Sequence, residues 1–379
     1  MCDKVHEGQH RGTRTIPIRE AVGTVLAHDI TEIRQGEFKG PAFQKGHIIR
    51  EEDVCHLQRL GKEHLFVLHV AEDEMHENDA AYAIAKALMG DGVAIKGEPK
   101  EGKIDIVADR DGLLKIDRDA LLQFNMLGEV MCATLHDNMV VNKGQTVAGT
   151  RAIPLVVKRA IVDEAVRIAR AGTGSTVQGQ GVIAVKEMRR PRAGVVITGN
   201  EVYHSRIKDA FAPIITKKIE EFGGEMVGVY YAPDDQAFIV DRLRELMNAG
   251  ADLLITTGGM SVDPDDVTRF AIRELGATDI TYGSAVLPGA MFLVGYLAKD
   301  QRTAEIPNFA LRTPNSELIP IIGIPACGMY HKTTIFDLIL PRVLCGEMIG
   351  RKELAALGHG GLCMHCDVCR YPVCPFGKD

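Results

Sequence analysis

From Gly194 onward the chain alternates short apolar runs with longer segments of helical spacing, and this alternation restricts the fold more than any other feature. Gly194–Thr198, Glu225–Tyr231, Asp252–Thr257 and Ile319–Pro325 are near-continuous apolar runs. A strand reads this way when both of its faces are buried. Between and after them, helices are expected over Ala210–Phe222, Asp235–Ala249 (with Asp234 as N-cap), Asp265–Leu275 and Met329–Leu344. Buried strands separated by helices specify an α/β fold with a parallel or mixed sheet covered on both faces.

The first half has a different character. Residues 1–14 are polar and are expected to be a disordered tail. Residues 15–190 read as a smaller α+β region, residues 191–350 as the α/β domain and residues 351–379 as a Cys-rich tail. Within the α+β region Ala21–Ile30 alternates like a strand, and Gly40–Ile49 offers a turn and a short strand. Glu51–Gly61 reads as a helix, Leu65–Val70 as a strand, and Asn78–Met89 as a helix capped by Asn78 or Asp79. Lys103–Asp117 is expected as a hairpin turned at Asp111-Gly112, and Asn138–Thr150 as a second around Asn142–Gly144. Helical spacing returns over Val157–Arg170, and Arg189–Gly194 reads as a linker.

Hydrophobic residues make up 46% and charged residues 25% of the 379, which excludes global disorder and coiled coil. A net charge of −7 leaves no whole-chain basic footprint, so no nucleic-acid partner is expected. No apolar run reaches the ~18–20 residues of a membrane span, so no membrane partner is expected either. With no apolar signal core at the N-terminus, a cytoplasmic location is expected.

Ligands of open α/β sheets bind outside the carboxyl ends of the strands. Three loops leave those ends: Gly199-Asn200-Glu201-Val202, Gly258 to Asp266, and Ala326-Cys327-Gly328. In the second, Gly258-Gly259 lets backbone N–H groups approach an oxyanion, and Ser261 adds a hydroxyl. Asp263, Asp265 and Asp266 suit a phosphate only with a cation between them. Mg²⁺, which takes one or two carboxylates plus substrate phosphates, fits. The alternative is that Asp263 caps a helix whose first turn holds Asp265 and Asp266.

The run TTGGMSVDPDDV (Thr256–Val267), preceded by ITGNEV (Ile197–Val202), resembles the molybdopterin-binding domain of molybdenum-cofactor biosynthesis proteins. That family holds molybdopterin adenylyltransferases and molybdenumtransferases, and the competence/damage-inducible type shares the domain. The resemblance covers roughly Arg192 to Glu347. It implies that Thr198, Gly199, Asn200 and Glu201 line a pterin-phosphate site. It implies that Thr257, Gly258, Gly259 and Ser261 cradle the phosphate, and that Pro288-Gly289 forms a further turn of the site. Asp266, and with it Asp263, would serve the metal or molybdate. A homo-oligomer is implied as well. Two departures stand out. The family's Leu-Pro-Gly-Asn-Pro loop reads Ile-Pro-Ala-Cys-Gly here (Ile324–Gly328). The earlier region resembles the molybdenumtransferase N-terminal part, closest of the three types, yet Gly36–Pro41 replaces its Ser-Ala-Met-Asp-Gly-Tyr segment.

The implied function is molybdenum-cofactor biosynthesis: binding molybdopterin or its adenylylated form and inserting molybdate as a transferase. A non-enzymatic carrier or redox sensor and a nucleotide pyrophosphatase stay open as alternatives. Cys363, Cys366, Cys369 and Cys374 crowd into the tail, where their spacing points to an iron–sulfur cluster or Zn²⁺.

Overall fold

The computed structural model describes residues 13–34, 38–68, 70–171, 181–260, 266–299 and 318–378. They divide into two compact units. One runs to Leu135 and from Val141 to Val185, and the other comprises His136–Val140 and everything described from Lys186 on. Among the described residues no helix is long and apolar enough to cross a membrane.

The first unit begins with Thr13–Pro17 (β1), Ile30–Arg34 (β2), Phe38–Phe43 (β3), the helix Glu51–Arg59 (α1) and His64–Leu68 (β4). β1 pairs antiparallel with β4, and β2 with β3. Ile16, Ile18, Leu26, Ile49, Leu57 and Leu65 close a small core. Apart from its last residue, the run Ala21–Ile30 is not the expected strand. Its backbone closes turns instead, such as Thr24 N–H to Ala21, and Leu26 N–H reaches His47 across the fold. Strand β1 opens at Thr13, inside the expected tail of residues 1–14, and residues 1–12 lie outside the described residues.

Next come Glu74–His76 (β5), Glu77–Leu88 (α2), Val93–Lys100 (β6), Lys103–Ala108 (β7), Gly112–Ile116 (β8), Arg118–Asn125 (α3) and Val130–Thr134 (β9). Val140–Val141 (β10), Thr146–Ala152 (β11), Val156–Lys158 (β12), Arg159–Ala171 (α4) and Ile183–Lys186 (β13) follow. Neither expected hairpin forms. Strand β7 lies between β6 and β11, so both of its edges are occupied and β8 joins β10 and β13 instead. Likewise β11 lies between β7 and β9, which leaves β10 to pair elsewhere. The α2 cap is His76, whose Nδ1 accepts from Asn78 N–H, while the Asn78 side chain accepts from Gly102 N–H.

The second unit is built on one six-stranded sheet. Its strands are Arg192–Thr198 (β14), Glu225–Ala232 (β15), Leu253–Thr257 (β16), Thr278–Tyr282 (β17), Leu293–Ala298 (β18) and Leu318–Ile324 (β19), in the order β15-β14-β16-β19-β18-β17. β15, β14, β16 and β19 run parallel, and β18 is antiparallel to both its neighbours. The sheet is therefore mixed; β17 and β18 lie outside the runs read as strands. Its helices are Asn200–Tyr203 (α5), Phe211–Glu221 (α6), Gln236–Asn248 (α7), Thr268–Glu274 (α8), Ile335–Leu344 (α9) and Arg351–Ala356 (α10).

Strand periodicity sends alternate residues to opposite faces. Val195, Ile197, Leu253, Ile255 and Ile322 join α6 and α9 in one core. Val196, Leu254 and Ile321 join α7 and α8 in the other. Three helix limits differ from expectation. α8 starts at Thr268 rather than Asp265. Met329–Leu344 splits into a 3-10 turn, Ala326–Met329, and α9, because Thr334 and Asp337 form a capping box that starts a new helix. The α7 cap is Asp235, which accepts from Phe238 N–H, not Asp234.

Candidate functional site at the strand ends

The loops after β14 and β16 meet through threonines. Thr198, Thr257 and Thr268 are all buried, at 4%, 0% and 0% exposure. The Thr198 hydroxyl donates to the Thr257 carbonyl at 2.8 Å and lies 3.1 Å from the Thr268 hydroxyl. A hydroxyl has one proton to give. Thr268 is therefore the donor to Thr198, and the chain 268→198→257 ties α8, β14 and β16 together.

That clamp fixes the turn Gly258-Gly259. Both glycines are left-handed, at φ +79° and +56°. A Cβ on Gly258 would lie 2.6 Å from the Thr198 carbonyl oxygen, and one on Gly259 2.3 Å from Thr268 Oγ1. Met260 follows, buried at 2%, and its carbonyl accepts from the Tyr282 hydroxyl. Among the described residues the buried Thr257 hydroxyl has no hydrogen-bond partner. An unmet buried polar group costs about 1–3 kcal/mol. A bound acceptor such as an oxyanion would meet it.

The loop after β14 is clasped to the loop after β15. Asn200 N–H donates to the Asp234 carboxylate at 3.0 Å, and Asp234 N–H donates to Asn200 Oδ1 at 3.3 Å. Gly199, at φ +135°, starts α5, and a Cβ there would lie 2.7 Å from Glu201 Oε1. Thr198, Gly199, Asn200 and Glu201 thus share one rim with Thr257, Gly258 and Gly259. Pro288-Gly289 instead supports α9: the Pro288 carbonyl accepts from Ile335 N–H at 3.3 Å, and a Cβ on Gly289 would lie 2.4 Å from Ile335 Cγ2. Ser261 and Asp263 lie outside the described residues, while Asp266 is half-buried two residues before α8. Thr268 and the Asp234–Asn200 clasp went unread in the sequence; a threonine two residues past Asp266 carries no local signal, because its partner is 70 residues away.

Among the described residues no group of three or more His, Cys, Asp or Glu is arranged to hold a metal. Cys363, Cys366, Cys369 and Cys374 lie in the C-terminal segment, with Cys366 and Cys369 exposed. Their segment packs on the α/β unit. Phe376 is 3% exposed, Cys363 and Cys374 border the same core, and Cys363 N–H donates to Leu287 at 2.8 Å. Cys369 is exposed; hydrogen bonds from the Thr333 hydroxyl and the Tyr371 N–H hold its thiol below the ordinary value. Burial pushes the Cys327 thiol, in the third strand-end loop, upward.

A family model described as "probable molybdopterin binding domain" matches residues 194–344, roughly two fifths of the chain. A second, described as a domain of unknown function, matches residues 15–69. A CinA-like protein of Mycobacterium avium (strain 104) is 39% identical over 89 residues, 22% of this chain and 20% of that protein. A CinA-like protein of Mycobacterium tuberculosis (strain ATCC 25177 / H37Ra) is 38% identical over 93 residues, 23% and 22% of the two chains. The match thus spans about a fifth of these relatives' length. Among solved structures, the tungsten cofactor synthesizing protein MoaB from Pyrococcus furiosus is 17% identical, with 42% of this chain and 97% of that one covered, at a TM-score of 0.30. The molybdopterin biosynthesis moea protein from Pyrococcus horikosii is 16% identical, with 89% and 75% covered, at a TM-score of 0.29.

Proposed function

We propose that the chain acts in molybdenum-cofactor biosynthesis, with residues 194–344, which match the family model of a probable molybdopterin binding domain, binding molybdopterin or its adenylylated form by the phosphate at Thr257-Gly258-Gly259. The observation that supports this reading is the buried Thr257 hydroxyl at the start of the turn, which has no hydrogen-bond partner among the described residues. The threonine clamp holds the turn before any ligand arrives, so little reorganisation is needed on binding. The missing Cβ atoms let phosphate oxygens reach the backbone.

In this reading Asp266, together with Asp263, holds Mg²⁺ against the phosphate. One carboxylate suffices only when phosphate oxygens complete the shell. The ion offsets phosphate charge. Asn200 and Glu201 face the remainder of the ligand from the opposite loop. Molybdate insertion, on a homo-oligomer, is the enzymatic form of the proposal. The Ile324–Gly328 loop and the replaced Gly36–Pro41 segment favour its non-enzymatic form, a carrier, and molybdate-dependent turnover separates the two.

The test starts from protein purified without oxygen, denatured, with the released ligand oxidised to its fluorescent pterin derivative. Pterin from wild type but not from a folded Gly259→Trp variant is the expected result. No pterin from either, in a host that makes the cofactor, overturns it. The match to CinA-like proteins favours one second reading, a nucleotide pyrophosphatase; hydrolysis of an ADP-ribose-like substrate would decide for it.

A further inference from the structure

We propose that the cavity between α8 and the β17–β18 edge of the sheet is a second anion subsite, taking a charged group of the ligand other than the phosphate at Gly258-Gly259. For the identity of that first group it rests on the function proposed above; for the second it stands on its own observations.

The cavity measures about 270 Å³ and is lined by Arg269, Phe270, Arg273, Ile280, Tyr282 and Leu293. Arg269 and Arg273 are four residues apart on α8 and so share one face. Among the described residues neither guanidinium is ion-paired, and Arg269 Nε is buried with no hydrogen-bond partner. An arginine keeps its charge at any physiological pH, so the unmet donor calls for an acceptor, and the planar fork suits phosphate or carboxylate. The Arg269 guanidinium is held in place by stacking: it lies 5.1 Å from the Phe270 ring centre and 5.7 Å from that of Tyr282. Phe270 stays 43% exposed. Ile280 and Leu293 add apolar wall. The ligand chemistry that fits is an anion beside a flat or apolar body.

The volume falls below the roughly 300–1,000 Å³ of a whole small-molecule site. The cavity thus takes part of a ligand. Two contacts join it to the turn. Thr268, next to Arg269, is the residue a Gly259 Cβ would strike, and Tyr282 donates to the Met260 carbonyl. A ligand seated on the turn extends past these two side chains toward the arginines.

Calorimetric titration of the full chain with ADP and with inorganic phosphate tests this. Wild type should bind ADP more tightly than phosphate. Arg269→Gln/Arg273→Ser should lose about tenfold or more in ADP affinity, with phosphate affinity unchanged. Circular dichroism checks the fold, and the exposed Arg273→Ser alone provides a variant that leaves the core untouched. Equal ADP affinity in both variants and wild type overturns the subsite, as does a wild type that fails to bind ADP. ADP binding that needs the arginines but is indifferent to Gly259→Ala upholds the subsite and overturns the turn as the seat of the first phosphate.

Discussion

Gly259 and Gly276 are both left-handed, at φ +56° and +98°, yet they differ in surroundings. A Cβ on Gly259 meets Thr268 Oγ1 at 2.3 Å, whereas one on Gly276 meets nothing within 4 Å. Gly276→Ala should therefore cost only backbone strain, about 1–2 kcal/mol. Gly259→Ala should cost more, because the threonine clamp must also shift. Urea unfolding of the two variants measures the difference; equal losses would mean that the clamp is not tight. Tyr296 gives a pH signature. Burial pushes its phenol up to about 12, from about 10 in an unfolded chain. The folded state then holds a proton that the unfolded state releases, so stability is full below about pH 10 and falls between about pH 10 and 12. Tyr296→Phe should flatten that fall when urea midpoints are compared across the range. It should also lower stability at neutral pH, because the Tyr296 hydroxyl accepts from Ile349 N–H at 2.6 Å.

Helices were mostly legible as elements, and their ends were not. α6, α7 and α9 lie where apolar spacing puts them, since each needs only one stripe against the sheet. Their caps depend on which side chain reaches which N–H. Asp234 and Asp235 are adjacent in sequence, but Asp234 is drawn to Asn200 and Asp235 takes Phe238 N–H. α9 begins late because Thr334 accepts from Phe336 N–H and Asp337 accepts from Thr334 N–H. Thr334→Ala should destabilise by about 1 kcal/mol, within a range of 0.5–2, read as a lowered midpoint of thermal unfolding. An unchanged midpoint would show that the Asp337–Lys218 ion pair alone holds the helix start. The hairpins failed for a different reason. The chain bends over 109–111, next to the expected pair, but a local turn signal cannot know whether the edge it returns to is already taken.

At the scale of the molecule, the Cys-rich segment is the clearest case of structure adding to composition. Its four thiols read as metal ligands by spacing, while Tyr371 and Phe376, scarcely noticed in the sequence, bury themselves against the α/β core. Packing of this kind predicts that Phe376→Ala lowers stability by about 3–5 kcal/mol. A chelator tests the four thiols separately: an unchanged thermal midpoint would speak against a metal there. A midpoint that falls with chelator would show that they hold one.

The sequence by itself determined what depends on near neighbours. It set the apolar strands buried on both faces, the helices between them, and the glycine pair that lets an oxyanion approach the backbone. The tertiary structure decided what depends on distant partners: which strand edges pair, that β17 and β18 complete a mixed sheet, that Thr268 closes the clamp on Thr198, and that the tail docks. The physical reason is that periodicity and backbone freedom act within a turn or two of chain. Edge occupancy, buried hydrogen bonds and core contacts are set by residues tens of positions apart, whose meeting no local pattern records.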